Sequence, residues 1–183
     1  MAGDASIVVE PLAIAGAFRI LPVQRKDDRG FFARTFCSDT FAARGLATHF
    51  VQRSTSFNLK RGTLRGLHFQ ADPHGETKLV RCTRGKVFDV LVDLRKDSAS
   101  FGRWHAEELD PGRTNTLYIP AGCAHGFQTL ADDSEVYYEI TPAYVASASR
   151  GIRYDDPDLA IGWPLKDAVL SERDLQLPRL REL

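Results

Sequence analysis

Turn-forming clusters interrupt this chain at short, near-regular intervals, and that punctuation limits the folds open to it. They recur at Asp27-Asp28-Arg29-Gly30, Lys60-Arg61-Gly62, Asp72-Pro73-His74-Gly75, Arg84-Gly85, Lys96-Asp97-Ser98, Asp110-Pro111-Gly112, Pro120-Ala121-Gly122 and Asp132-Asp133-Ser134. Between them lie short runs rich in β-branched and aromatic residues: 78–82, 86–94, 116–119, 126–130 and 135–141. Short strands separated by turns predict an all-β sandwich or barrel. Segment 86–94, KVFDVLVDL, is apolar at nearly every position, with Asp89 and Asp93 intruding. Such a run suits a strand covered on both faces, as in the middle of a double-sheeted barrel. Only residues 38–46, SDTFAARGL, read as a helix, with Ser38 as its N-cap. Residues 166–170 are a second, weaker helical candidate.

A chain of 183 residues suits one domain, taken as residues 1–183, with a sizeable core. Lys plus Arg equals Asp plus Glu at 24 each, so no overall field draws the protein to nucleic acid or an anionic membrane. No apolar run approaches the roughly 18 residues of a membrane span, and the first residues lack the pattern of a signal peptide. Cys37, Cys82 and Cys123 form no CxxC and are odd in number, which fits reduced thiols in the cytoplasm.

Three segments hold the polar residues that could do chemistry. RGTLRGLHFQ, residues 61–70, sets Arg65 and His68 around Gly66. On a regular strand the two would face opposite ways, unless Gly66 marks a bulge that re-aims one of them. Taken alone, the segment fits a hydrogen-bonded core histidine and a surface arginine better than a site. PAGCAHGF, residues 120–127, puts His125 between a Pro-Gly turn and a strand. In EVYYEIT, residues 135–141, Tyr137 and Tyr138 alternate, so one must point inward. A metal centre would need convergent His, Asp or Glu ligands. The sequence has no HxH or HxxxH, and His68, His74, Glu76 and His125 would have to assemble from separate segments, so neither metal nor cofactor is expected. GxGxxG after a strand, GxxxxGK[ST] and GxSxG are also missing.

Taken in order, five pieces resemble the dTDP-4-dehydrorhamnose 3,5-epimerases of the cupin superfamily. They are DDRGFFARTF (27–36), RGTLRGLHFQ (61–70), KLVRCTRGKVFDVLVDLRKDSASFGRW (78–104), YIPAGCAHGFQTL (118–130) and GIRYDDPDLAIGWP (151–164). The resemblance implies a jelly-roll barrel, the double-stranded β-helix of cupins. It also implies metal-free epimerisation of a nucleotide-linked 4-keto-6-deoxyhexose at C3 and C5. On that basis His68 is the base, Asp174 its carboxylate partner and Tyr138 the acid on the other face of the sugar. Lys78 lies beside the C4 oxygen, and Arg65 and His125 contact the substrate. Arg29, Gln52 and Arg173 would hold the nucleotide diphosphate, with Phe31 and Arg34 in the same substrate-binding set. The expected partners are this nucleotide sugar and a second copy of the chain, a homodimer in which residues 6–14, SIVVEPLAI, could be an exchanged strand.

These residue types suit that chemistry. A C4 ketone acidifies the hydrogens on C3 and C5, because the carbanion delocalises onto oxygen as an enolate. Histidine has the right basicity to remove such a proton, and a carboxylate fixes its tautomer. Lys78 can stabilise the developing O⁻. Inversion then needs a different residue to return a proton from the opposite side. Arg34, Arg53, Ser149 and Glu139 depart from the family pattern. Arg34, Arg53 and Ser149 fall on the nucleotide-holding side, and Glu139, beside Tyr138, hints at altered specificity. A single-site epimerase acting at C3 or C5, a non-catalytic sugar-nucleotide-binding cupin and a metal-dependent cupin are the alternatives.

Overall fold

The computed structural model describes residues 6–183. In chain order the first strands are β1 (Ile7–Pro11), β2 (Phe18–Pro22), β3 (Arg25–Asp27) and β4 (Gly30–Phe32), followed by helix α1 (Ser38–Ala42). Then come β5 (Gln52–Asn58), β6 (Leu64–Gln70), β7 (Thr77–Arg84), β8 (Val87–Asp93) and β9 (Trp104–Leu109). The rest are β10 (Thr116–Ile119), β11 (Cys123–Thr129), β12 (Ser134–Thr141), β13 (Ser149–Gly151) and the short helix α2 (Glu172–Leu175).

Two antiparallel sheets face each other. One has the order β1-β2-β10-β7-β12-β5 and the other β13-β6-β11-β8-β9, while β3 and β4 form a separate hairpin. Alternation explains the packing. On β8, Val87 and Leu91 point between the sheets and join Val80, Leu117, Phe127 and Val136 in the central core. Val90 and Val92 point outward and meet Leu67, Ile152 and Leu159, with Trp163 and Leu180 from the C-terminal segment packed against them. The other sheet is backed by Phe41, Phe50 and Leu46, which cover Ile20, Leu79 and Tyr118. β8 is therefore covered on both faces, as its continuous apolar run predicts.

The helices differ from expectation. The run 38–46 is helical only at Ser38–Ala42, its N-cap is Cys37 rather than Ser38, and no side chain caps it. Gly45, at φ +68°, takes the left-handed conformation that ends a helix. Residues 166–170 are not helical. Val169 instead donates its N–H to the Gly62 carbonyl and accepts from the Leu64 N–H, both at 2.9 Å, beside the start of β6. That pairing carries the chain to α2, which delivers Asp174.

Candidate active site

A cavity of about 410 Å³ opens between the two sheets. Its walls draw on one sheet through Ser54 and Ser56 of β5, Lys78 of β7, and Tyr138 and Ile140 of β12. The facing wall carries Arg65 and His68 of β6 and His125 and Phe127 of β11. Ser149, Ser171, Arg173 and Asp174 close one side. Seven sequence-predicted residues meet here: His68, Asp174, Tyr138, Lys78, Arg65, His125 and Arg173.

Arg65 and His68 share the cavity because β6 is bulged. Opposite β11, Arg65 pairs with Phe127 and His68 with His125, so two residues of β6 oppose Gly126 alone. Gly66 takes φ +113°, and a Cβ there would stand 2.7 Å from the Gly126 Cα and the His125 carbonyl oxygen. Glycine is required by both conformation and space.

His68 Nε2 lies 2.7 Å from Asp174 Oδ1. An ionised carboxylate only accepts, so Nε2 carries the proton and Nδ1 keeps the lone pair. Asp174 is 4% exposed. Burial alone would raise its carboxyl, but the bond and charge of His68, the Gly66 N–H and Ser171 hold it below the usual carboxylate range. Ser171 caps α2 by accepting from the Asp174 N–H at 3.2 Å. The Tyr138 hydroxyl is pushed upward by burial and by the negative charge of Asp89, against the opposing pull of Arg65, so it stays protonated. Its ring meets His125 edge-on, with centroids 5.9 Å apart.

Two residues beneath these were not predicted as site residues. Asp89, fully buried, bonds His125 Nε2 at 2.9 and 3.0 Å. Burial raises its carboxyl and His125 opposes the rise. The signal was present, since an Asp between Val87 and Leu91 on an inward strand face must find a partner. Asp93, the other intruder, is structural and accepts from Arg95, Ser98 and Ser100. Glu76, weighed in the sequence only as a metal ligand, pairs with Lys78 at 2.8 Å. Among the described residues no group of three or more His, Cys, Asp or Glu has the arrangement to hold a metal ion.

The cavity arginines have neutral partners. Arg65 Nε donates to Asn58 Oδ1 at 2.7 Å, and an Arg173 η-nitrogen donates to Ser149 Oγ at 2.9 Å. Elsewhere Arg29 pairs with Asp27, Arg95 with Asp93 and Arg153 with Asp155. The guanidinium charge facing the cavity is thus left for an anion.

Arg29, Phe31, Arg34 and Gln52 do not line the cavity of their own chain. Arg29 and Phe31 belong to the exposed β3–β4 hairpin, Phe31 being 48% exposed, and Arg34 follows it. Gln52 shapes the rim indirectly, accepting from the backbone N–H of the cavity residue Tyr144 at 2.5 Å. Arg53 and Glu139, two of the departures, are cross-strand neighbours and form an ion pair at 3.0 Å. They alternate with Ser54 and Tyr138, and neither lines the cavity.

The model of one protein family, described as dTDP-4-dehydrorhamnose 3,5-epimerase, matches residues 11–182. A dTDP-4-dehydrorhamnose 3,5-epimerase of Sinorhizobium fredii is 42% identical over 175 residues, covering 95% of this chain and 90% of that protein. A dTDP-4-dehydrorhamnose 3-epimerase of Streptomyces niveus is 39% identical, covering 91% and 80%. The solved structure of a dTDP-6-deoxy-D-glucose-3,5-epimerase from Legionella pneumophila, in complex with dTDP-4-keto-L-rhamnose, superposes with a TM-score of 0.90 at 35% identity, covering 96% of this chain and 93% of that one.

Proposed function

The chain belongs to the dTDP-4-dehydrorhamnose 3,5-epimerase family, and from that premise we propose that it inverts C3 and C5 of dTDP-4-dehydro-6-deoxyglucose by the two-wall chemistry of His68 and Tyr138. One observation carries the residue assignment: His68 stands on one sheet and Tyr138 on the sheet that faces it across the cavity. Inversion needs a base and an acid on opposite faces of the ring, and this arrangement meets that need.

His68, oriented by Asp174, takes the proton from the carbon beside the ketone. The electron pair moves to the C4 oxygen, where Lys78 stabilises the enolate. Tyr138, still protonated, returns a proton to the opposite face of the carbon. Solvent then takes the proton from His68 and returns one to Tyr138, and the same cycle serves C3 and C5 in turn. Arg65 and Arg173, with uncancelled charge, suit the diphosphate, and His125, held by Asp89, suits a hydroxyl of the sugar.

Arg29, Phe31 and Arg34 do not line the cavity of their own chain, and in this reading they meet a substrate in the cavity of another subunit. We infer a homodimer that presents the β3–β4 hairpin, with Phe31 and Phe32 48% and 67% exposed, to the partner. β1 pairs with β2 of its own chain at the edge of the six-stranded sheet, where residues 6–14 could still be exchanged with the partner. No helix among the described residues is long and apolar enough to cross a membrane. The three free thiols fit a reducing cytoplasm.

The test is incubation of the pure protein with dTDP-4-dehydro-6-deoxyglucose in D₂O, followed by NMR. Deuterium at both C3 and C5, with conversion to the rhamnose-configured product, supports the double epimerase. Deuterium at C3 alone assigns the single-site activity carried by the name of the Streptomyces relative, and none at either carbon refutes the proposal.

A further inference from the structure

Lys78 and Glu76 lie two residues apart where β7 begins, so on extended backbone both side chains leave the same face. Both line the cavity, and the Lys78 Nζ to Glu76 Oε1 distance is 2.8 Å with the side chains 8% and 9% exposed. A lysine head carried on a flexible four-carbon stem has no fixed position without an acceptor to hold it. Glu76 supplies one. The second carboxylate oxygen, Oε2, is buried and has no partner among the described residues. A carboxylate buried for stability has its acceptor positions filled, and a half-satisfied ion pair costs folding energy. The fold therefore retains Glu76 for something other than stability.

We propose that Glu76 is a positioning residue for the reaction: it fixes the Lys78 ammonium at the cavity wall where the enolate oxygen develops. The inference rests on the epimerase reading and on Lys78 as the oxyanion partner. It gives Glu76 no contact with substrate, only control of where the ammonium sits.

A double-variant cycle on the full chain tests it, read as the rate of deuterium incorporation from D₂O into dTDP-4-dehydro-6-deoxyglucose. Lys78→Met should lower kcat about 100-fold. Glu76→Leu should lower kcat about tenfold or more with KM within about threefold, and Glu76→Gln, which keeps an oxygen for the ammonium, should recover most of the rate. In the Lys78→Met background, Glu76→Leu should cost less than about twofold more. The Leu/Met double variant should melt no lower than the unsubstituted protein, since an apolar pair replaces an incomplete ionic one. Wild-type kcat in Glu76→Leu, full additivity in the cycle, or a lower melt in the double variant overturns the inference. Wild-type activity in Lys78→Met removes the role assigned to Lys78, and this inference with it. An inactive unsubstituted protein marks instead a failure of the epimerase reading, on which the inference depends.

Discussion

Asp174 decides which nitrogen of His68 can work. By accepting from Nε2 it leaves the lone pair on Nδ1, and its carboxyl, held below the usual range, stays the ionised acceptor that this arrangement needs. Asp174→Asn can present an amide N–H to Nε2 and reverse the tautomer, so kcat should fall roughly 10²- to 10⁴-fold with little change in melting temperature. Steady-state kinetics beside a thermal melt checks this; near-normal kcat would remove Asp174 from the machinery. The thiols make a separate test. Cys82 and Cys123 are buried and burial pushes them up to about 11 and about 12, while Cys37 is only half-buried. At neutral pH an alkylating reagent should label Cys37 alone in the native protein and all three in denaturant, as read by mass spectrometry.

At the scale of elements, the bulge in β6 is the device that builds the site. Gly66→Ala forces a Cβ against the β11 backbone at 2.7 Å and asks alanine for φ +113°. It should destabilise the fold by about 2 kcal/mol or more and abolish exchange, measured by denaturant titration and NMR. The sequence reading left this open, because LRGLH alone does not say whether Gly66 bends the strand. β8 was legible because its apolar residues serve two faces. β5, Gln52–Asn58, was not: its exposed edge-strand residues QRSTSFN show no apolar alternation. β9, WHAEEL, carries Ala, Glu and Leu, which helices favour, and only pairing with β8 makes it a strand. Arg53 and Glu139 looked like independent departures until their register showed one ion pair. Exchanging the charges, Arg53→Glu with Glu139→Arg, should leave kcat and KM within about twofold and the stability within about 0.5 kcal/mol. A large change in KM would return Glu139 to the site.

At the scale of the molecule, acid stability follows from the carboxylates that the fold keeps ionised. Burial alone would raise Asp93, Glu107 and Asp174, yet each ends below its ordinary range. Arg95, Ser100 and Ser98 hold Asp93; His105, Asn115 and Arg19 hold Glu107; His68 holds Asp174. A folded pKa below the unfolded value gives stability that is present above about pH 4 and lost as pH falls through the folded value. The melting temperature should therefore hold from neutral pH to about pH 4.5 and drop below it; a decline that began near pH 6 would implicate the histidines instead. The proposed dimer makes its own claim. Light scattering at micromolar concentration should give twice the chain mass, and a monomer would remove the substrate-binding role proposed for Arg29, Phe31 and Arg34.

The separation of base and acid on opposite walls is most directly tested with Tyr138→Phe and His68→Ala, incubated with dTDP-4-dehydro-6-deoxyglucose in D₂O and followed by NMR for both deuterium and configuration. Tyr138→Phe keeps the base and loses the acid, so it should incorporate deuterium while retaining the starting configuration. His68→Ala should do neither. Inverted product from Tyr138→Phe at the unsubstituted rate, or exchange by His68→Ala, would contradict the assignment of the two walls.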